Sequence, residues 1–225
     1  TQKQHITPPA EPFLAFAPFT QNGTGDLSGI FPDRNALRSG LGPLPFSLDE
    51  AMAGQRLFNG GKGSVFSGKK ATKATFIEQA SRARILLLSL HGFAETKAGD
   101  FAFLAFSPAP GSPLEAFLFL SEIYALELNA DLVLLSACET GIGRLARGEG
   151  IISLARAFAF AGAKSVAATF WTIETEPTAK IMKQFYSQLA AQKTKDVALH
   201  LAKTTYLDDE SMTNALHHPY YWAGI

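Results

Sequence analysis

The chain has 225 residues, 47% of them hydrophobic and 18% charged, with 20 Lys plus Arg balanced by 20 Asp plus Glu. That length suits one α/β domain around a shared core, and the composition excludes a chain that is disordered throughout. Zero formal net charge supplies no field toward nucleic acid or an anionic membrane, so neither is expected as a partner.

In chain order, residues 1–12 carry three prolines and read as an extended lead-in. Phe13 to Phe19 forms a short apolar strand. The stretch from Thr20 to Pro45 holds five glycines and three prolines without periodicity, which predicts a long surface loop. Ser47 followed by Glu50 spells a capping box, with helix to about Phe58. A brief strand at Ser64 to Phe66 and a helix capped by Thr72 follow.

Arg84 to Leu90 is continuously apolar after its first residue, as a parallel strand covered on both faces should be, and it delivers His91-Gly92 at its carboxyl end. Phe101 to Phe106 and Phe117 to Leu120, joined by a Pro-rich loop, read as a hairpin, and Ser121 caps a helix to Leu128. Asp131 to Ala137 is a second buried strand, delivering Cys138. Further on come a helix over 151–161, a third core strand at Ser165 to Phe170, helices from Pro177 and from Thr194, and a last strand near Tyr221. Strands alternating with helices imply a mainly parallel sheet between two helical layers. The aromatic and apolar end at Tyr221 to Ile225 reads as a domain excised from a longer protein.

Ligands of such sheets bind at the carboxyl ends of the strands, where His91 and Cys138 both fall. An imidazole can take a thiol proton and later return one to a leaving amine, so one His and one Cys suffice for acyl transfer. The amides of Gly92 and Cys138 are the candidate oxyanion donors. Read apart, Cys138 could equally be a small buried hydrophobe and His91 a hydrogen-bonded turn residue. Their separation in sequence is close to the ~50 residues between His and Cys in caspases. Cys138 is the sole cysteine, which fits a reducing compartment, and with no signal-peptide pattern or apolar run long enough to span a bilayer the expected location is cytoplasmic.

Leu90-His91-Gly92-Phe93, Leu134-Leu135-Ser136-Ala137-Cys138-Glu139-Thr140-Gly141, Arg147-Gly148-Glu149-Gly150, Phe170-Trp171 and His218-Pro219-Tyr220-Tyr221-Trp222 together resemble the CHAT domain family, bacterial caspase-like peptidases related to separases. The similarity runs from about Pro43 to the C-terminus, dividing the chain into a lead-in, first strand and loop over 1–42 and a peptidase domain over 43–225. The resemblance implies a caspase-like three-layer α/β/α sandwich. It also implies a cysteine endopeptidase acting on a protein substrate, with His91 as general base and Cys138 as nucleophile, and no cofactor. Tetratricopeptide repeats or another recruitment module outside this chain are the implied regulatory partners.

By analogy with separases, Glu174 or Glu176 would hold a basic P1 residue, because a carboxylate pairs with guanidinium in two parallel hydrogen bonds. Both could instead serve the N-terminus of the next helix, and Arg144 and Arg147 keep an acidic P1 open. Many relatives have a Leu-Trp-Pro-like run where this chain has Phe170-Trp171-Thr172, and commonly Asp where it has Glu174. An inactive domain retained as a protein-interaction module is the rival reading.

Two nucleotide-site patterns are weaker. Gly63 to Lys70 approaches a phosphate-binding loop but puts Lys where Ser or Thr must hold magnesium, and Gly141-Ile142-Gly143-Arg144-Leu145-Ala146 lacks a helix starting at its glycines. His5, His200, His217 and His218 have no partners at metal-ligand spacing, so no metal is expected.

Overall fold

The computed structural model describes residues 9–20, 41–95, 101–108, 112–136, 149–169 and 175–225. Among them, five strands form one parallel sheet in the order β2-β1-β3-β7-β8. These are β1 (Glu11–Ala17), β2 (Ser64–Ser67), β3 (Ala83–Ser89), β7 (Leu132–Ser136) and β8 (Val166–Ala168). A smaller antiparallel sheet joins β4 (Gly92–Glu95), β5 (Phe101–Ala105) and β6 (Phe117–Phe119). The helices are α1 (Ser47–Leu57), α2 (Lys73–Gln79), α3 (Leu120–Tyr124), α4 (Glu149–Phe160), α5 (Thr175–Ala190) and α6 (Lys195–Leu207).

Continuous apolar runs in β1, β3 and β7 require cover on both faces, and the side-chain period of two divides each run between two cores. Leu14, Phe16, Leu86, Leu88, Val133 and Leu135 point into one core, closed by Phe76 of α2, Leu154 and Phe158 of α4, and the small sheet. Phe13, Ala15, Ile85, Leu87, Leu132 and Leu134 point into the other, closed by Ala51 of α1, Ile181 and Phe185 of α5, and Ala198 and Tyr206 of α6. The expected three-layer α/β/α sandwich is therefore the observed one.

Helix α1 lies close against β1 because Gly54 has no side chain. A Cβ there would run into the ring of Phe13, with Cε2 only 2.8 Å away. At the amino ends of the strands, Asp131 accepts from Arg84 (2.8 Å) and Lys164 (2.7 Å), and Lys195 reaches the Asp131 carbonyl at 2.6 Å. These are largely exposed pairs, of the kind that contributes ~0–1 kcal/mol each.

Several local expectations are corrected. Ser47 does not cap α1: the chain enters that helix through Phe46 in the left-handed region (φ 72°), so Ser47 is already its first residue and its buried hydroxyl has no partner among the described residues. Glu50 is thereby one position too far along for a capping box, which needs the acid at the third helical residue. No strand begins at Tyr221. Pro219–Tyr221 is a 3-10 turn, capped by His218 Nδ1 accepting from the Tyr220 amide at 3.2 Å. Thr72 does cap α2, accepting from the Thr75 amide at 3.2 Å, and the hairpin of β5 and β6 forms. The additional strand β4, directly after His91, was not foreseen.

Candidate functional site

The two central strands β3 and β7 end in serines that pair across the sheet, Ser89 opposite Ser136. His91 and Cys138 each stand two residues further along the chain. Parallel pairing thus ends both strands at the same edge of the sheet in adjacent positions. Cys138 itself lies outside the described residues, as do Arg144, Arg147, Glu174 and the Gly141 to Ala146 pattern.

His91 is held from three sides. Its ring meets Phe19 edge-on at 4.6 Å between centroids, and its carbonyl accepts from the Ala105 amide at 2.8 Å. Its Nε2 lies 2.8 Å from the Gly42 carbonyl oxygen. A carbonyl only accepts, so Nε2 must carry the proton, which leaves the lone pair on Nδ1. That Nδ1 is buried and, among the described residues, has no hydrogen-bond partner. Burial holds the imidazole below its usual range, with the Gly42 carbonyl offsetting part of the effect by favouring the charged form. The result is a neutral ring whose Nδ1 lone pair is unclaimed among the described residues, the form a general base requires.

Gly92 opens β4 and registers with Leu104. Glu176 sits in the first turn of α5, its side chain 68% exposed and 3.4 Å from Lys180 one turn on.

Beneath the strand ends lies a polar cluster that the sequence did not expose. The Glu50 carboxylate turns from α1 into the sheet, where Oε2 accepts from Ser136 Oγ at 2.8 Å and from Ser89 Oγ at 3.3 Å. Oε1 accepts from the hydroxyl of Tyr186 on α5, at 2.8 Å. Burial raises Glu50 above the usual carboxylate range, and the three hydroxyl donors pull partly against it. Tyr186 is pushed well above the ordinary phenol value by its own burial, then by the neighbouring carboxylate, so it remains a donor. One signal pointed here: both apolar strands end in Ser, and each Ser stands two residues before a candidate catalytic group. Nothing in the sequence, by contrast, marked Gly42 as the partner of His91.

A family model described as the CHAT domain matches residues 8–225. Among curated proteins, mouse (Mus musculus) "Tetratricopeptide repeat protein 28" is 29% identical over 111 residues, which is 49% of this chain and 4% of that protein. The chain therefore spans only a small part of that relative's length. Similar sequence thus occurs outside bacteria. The family match begins well before Pro43, in keeping with the position of β1 between β2 and β3. Among the described residues no helix is long and apolar enough to cross a membrane.

Proposed function

The chain belongs to the CHAT domain family, a caspase-like, peptidase-related family, and from that premise we propose that it is a cysteine endopeptidase with His91 and Cys138 as its dyad. The observation that carries the reading is the neutral His91 ring, with its Nε2 proton committed to the Gly42 carbonyl and its Nδ1 lone pair unclaimed among the described residues.

The chemistry follows from that tautomer. Nδ1 takes the Cys138 thiol proton, and the thiolate sulfur attacks the scissile carbonyl carbon. The Gly92 and Cys138 amides would donate to the oxyanion of the tetrahedral intermediate. As it collapses, the C–N bond breaks and the leaving amine takes the proton from Nδ1, leaving a thioester. Water, deprotonated by the same nitrogen, then hydrolyses the thioester and restores the thiol. While His91 is protonated, its bond to the Gly42 carbonyl is charge-assisted and stronger, which steadies the imidazolium without a carboxylate partner.

The substrate would be a protein, cleaved after a basic P1 residue held by Glu174 or Glu176, and recruited through a repeat module or other partner beyond this chain. The test is turnover of a fluorogenic peptide library, with candidate partners supplied. Cys138→Ala and His91→Ala are expected to abolish cleavage, and Glu174→Ala or Glu176→Ala to weaken cleavage after Arg selectively. Cleavage that survives Cys138→Ala would refute the dyad, and equal losses on every P1 type would assign the glutamates to structure. A second reading, an inactive interaction module, draws on the burial of His91, which is 3% exposed. It predicts partner binding that is indifferent to both dyad substitutions and no turnover under any condition.

A further inference from the structure

Glu50 is a half-buried residue whose carboxylate turns inward and, among the described residues, has no cationic partner. Its three contacts are neutral hydroxyls, drawn from β3, β7 and α5. Turning a carboxylate away from water without a counter-charge is unfavourable, and an aliphatic side chain of similar volume would fill the same space without that cost. Stability alone therefore gives a poor account of Glu50.

Geometry offers a better one. The two serines on Oε2 are register partners at the last rung of the β3–β7 ladder. One residue, Leu90, separates Ser89 from His91, and one residue, Ala137, separates Ser136 from Cys138. Aliphatic packing tolerates small slides of one strand end past its neighbour, whereas two hydroxyls donating to one oxygen do not. Tyr186 fixes the other oxygen from the α5 side, so the carboxylate cannot swing away.

We propose that Glu50 is a positioning residue which, by clamping Ser89 and Ser136 together, sets the approach of His91 to Cys138. The proposal rests on the dyad reading above. It assigns the buried carboxylate to alignment and gives it no contact with substrate.

The test uses the single cysteine as a reporter, so that alkylation of the full chain is unambiguous by mass. The rate of iodoacetamide modification is followed against pH, with folding checked by circular dichroism. In the wild type a dyad thiolate gives a midpoint below the ~8.5 of a free thiol, and His91→Ala abolishes the depression. Glu50→Gln, nearly isosteric, is expected to raise that midpoint by roughly one unit, because a displaced ring takes the thiol proton less readily and the imidazolium so formed pairs less closely with the thiolate. Ser136→Ala and Tyr186→Phe are expected to move it in the same direction, by less. Gly162→Ala serves as the stability control. That glycine adopts φ 113° beside the Leu128 backbone, remote in sequence from the clamp, so its substitution should lower stability without shifting the midpoint.

A folded Glu50→Gln protein with the wild-type midpoint overturns the clamp. Should Glu50→Gln fail to fold, unmoved midpoints in both Ser136→Ala and Tyr186→Phe overturn it equally. A wild-type midpoint at the free-thiol value and insensitive to His91→Ala sinks the dyad itself, and the proposal with it.

Discussion

Replacing Tyr186 by Phe removes one oxygen and leaves the ring in place among Phe13, Phe58 and Phe185. No cavity of consequence opens, so the change isolates the 2.8 Å hydrogen bond to Glu50. A hydrogen bond to an ionised, buried acceptor is worth about 1.5–3 kcal/mol, one to a neutral group about 1 kcal/mol. The deficit should therefore depend on whether Glu50 is charged. Its folded pKa is raised above the ordinary carboxylate value of 4.5, so stability held below that value is given up as pH climbs through the folded one. Phe at 186 takes away a donor to the charged form, which raises Glu50 further and deepens the loss on the alkaline side. Urea denaturation of wild type and Tyr186→Phe, run from about pH 4 to 8, should show a small deficit at the acid end. The deficit should grow toward ~2 kcal/mol, or roughly 4–8 °C in Tm for a chain of this size. A deficit that stays flat across the range, or never exceeds ~0.5 kcal/mol, would refute the charged-acceptor argument.

Gly54→Ala improves helix propensity by ~1 kcal/mol but drives a methyl into a Phe13 ring already stacked on Phe58 at 5.5 Å. Overpacking of about 1–3 kcal/mol should win, so the urea midpoint is expected to fall, and a raised midpoint would mean the ring yields freely. The depressed imidazole of His91 contributes stability that is complete above its unfolded value of about 6.5 and lost as pH falls through the lower folded value. In Cys138→Ala, where no thiolate can form beside it, its ring-proton resonances should accordingly titrate below about 6.5. Titration at or above about 6.5 in that variant would contradict a buried neutral base.

The parts legible in the sequence were those written in local pattern. Arg84 to Leu90 and Asp131 to Ala137 are unbroken enough to announce buried parallel strands, and once they are strands the placement of His91 follows from topology. Glu50 was misread because a serine three residues before a glutamate fits a cap as well as it fits chance. The left-handed turn at Phe46, which shifts the helix start by one residue, is a product of tertiary packing. Tyr186 lies 136 positions from Glu50, and Gly42 lies 49 from His91. Pairings over such distances leave no periodic trace in a single chain. Tyr220, Tyr221 and Trp222 favour a strand by propensity, and the 3-10 turn that forms instead is set by Pro219 and by His218 capping the Tyr220 amide.

The Gly42 carbonyl that selects the His91 tautomer belongs to the main chain. An alanine scan would therefore pass over it in silence: a Cβ at position 42 meets nothing within 4 Å, and every substitution retains the oxygen. What would disturb it is a change of path, such as a residue inserted or removed between Phe19, whose carbonyl holds the Leu44 amide at 2.6 Å, and Leu44. The number of residues between Phe19 and Leu44, and not the identity of residue 42, would then be what the tautomer depends on.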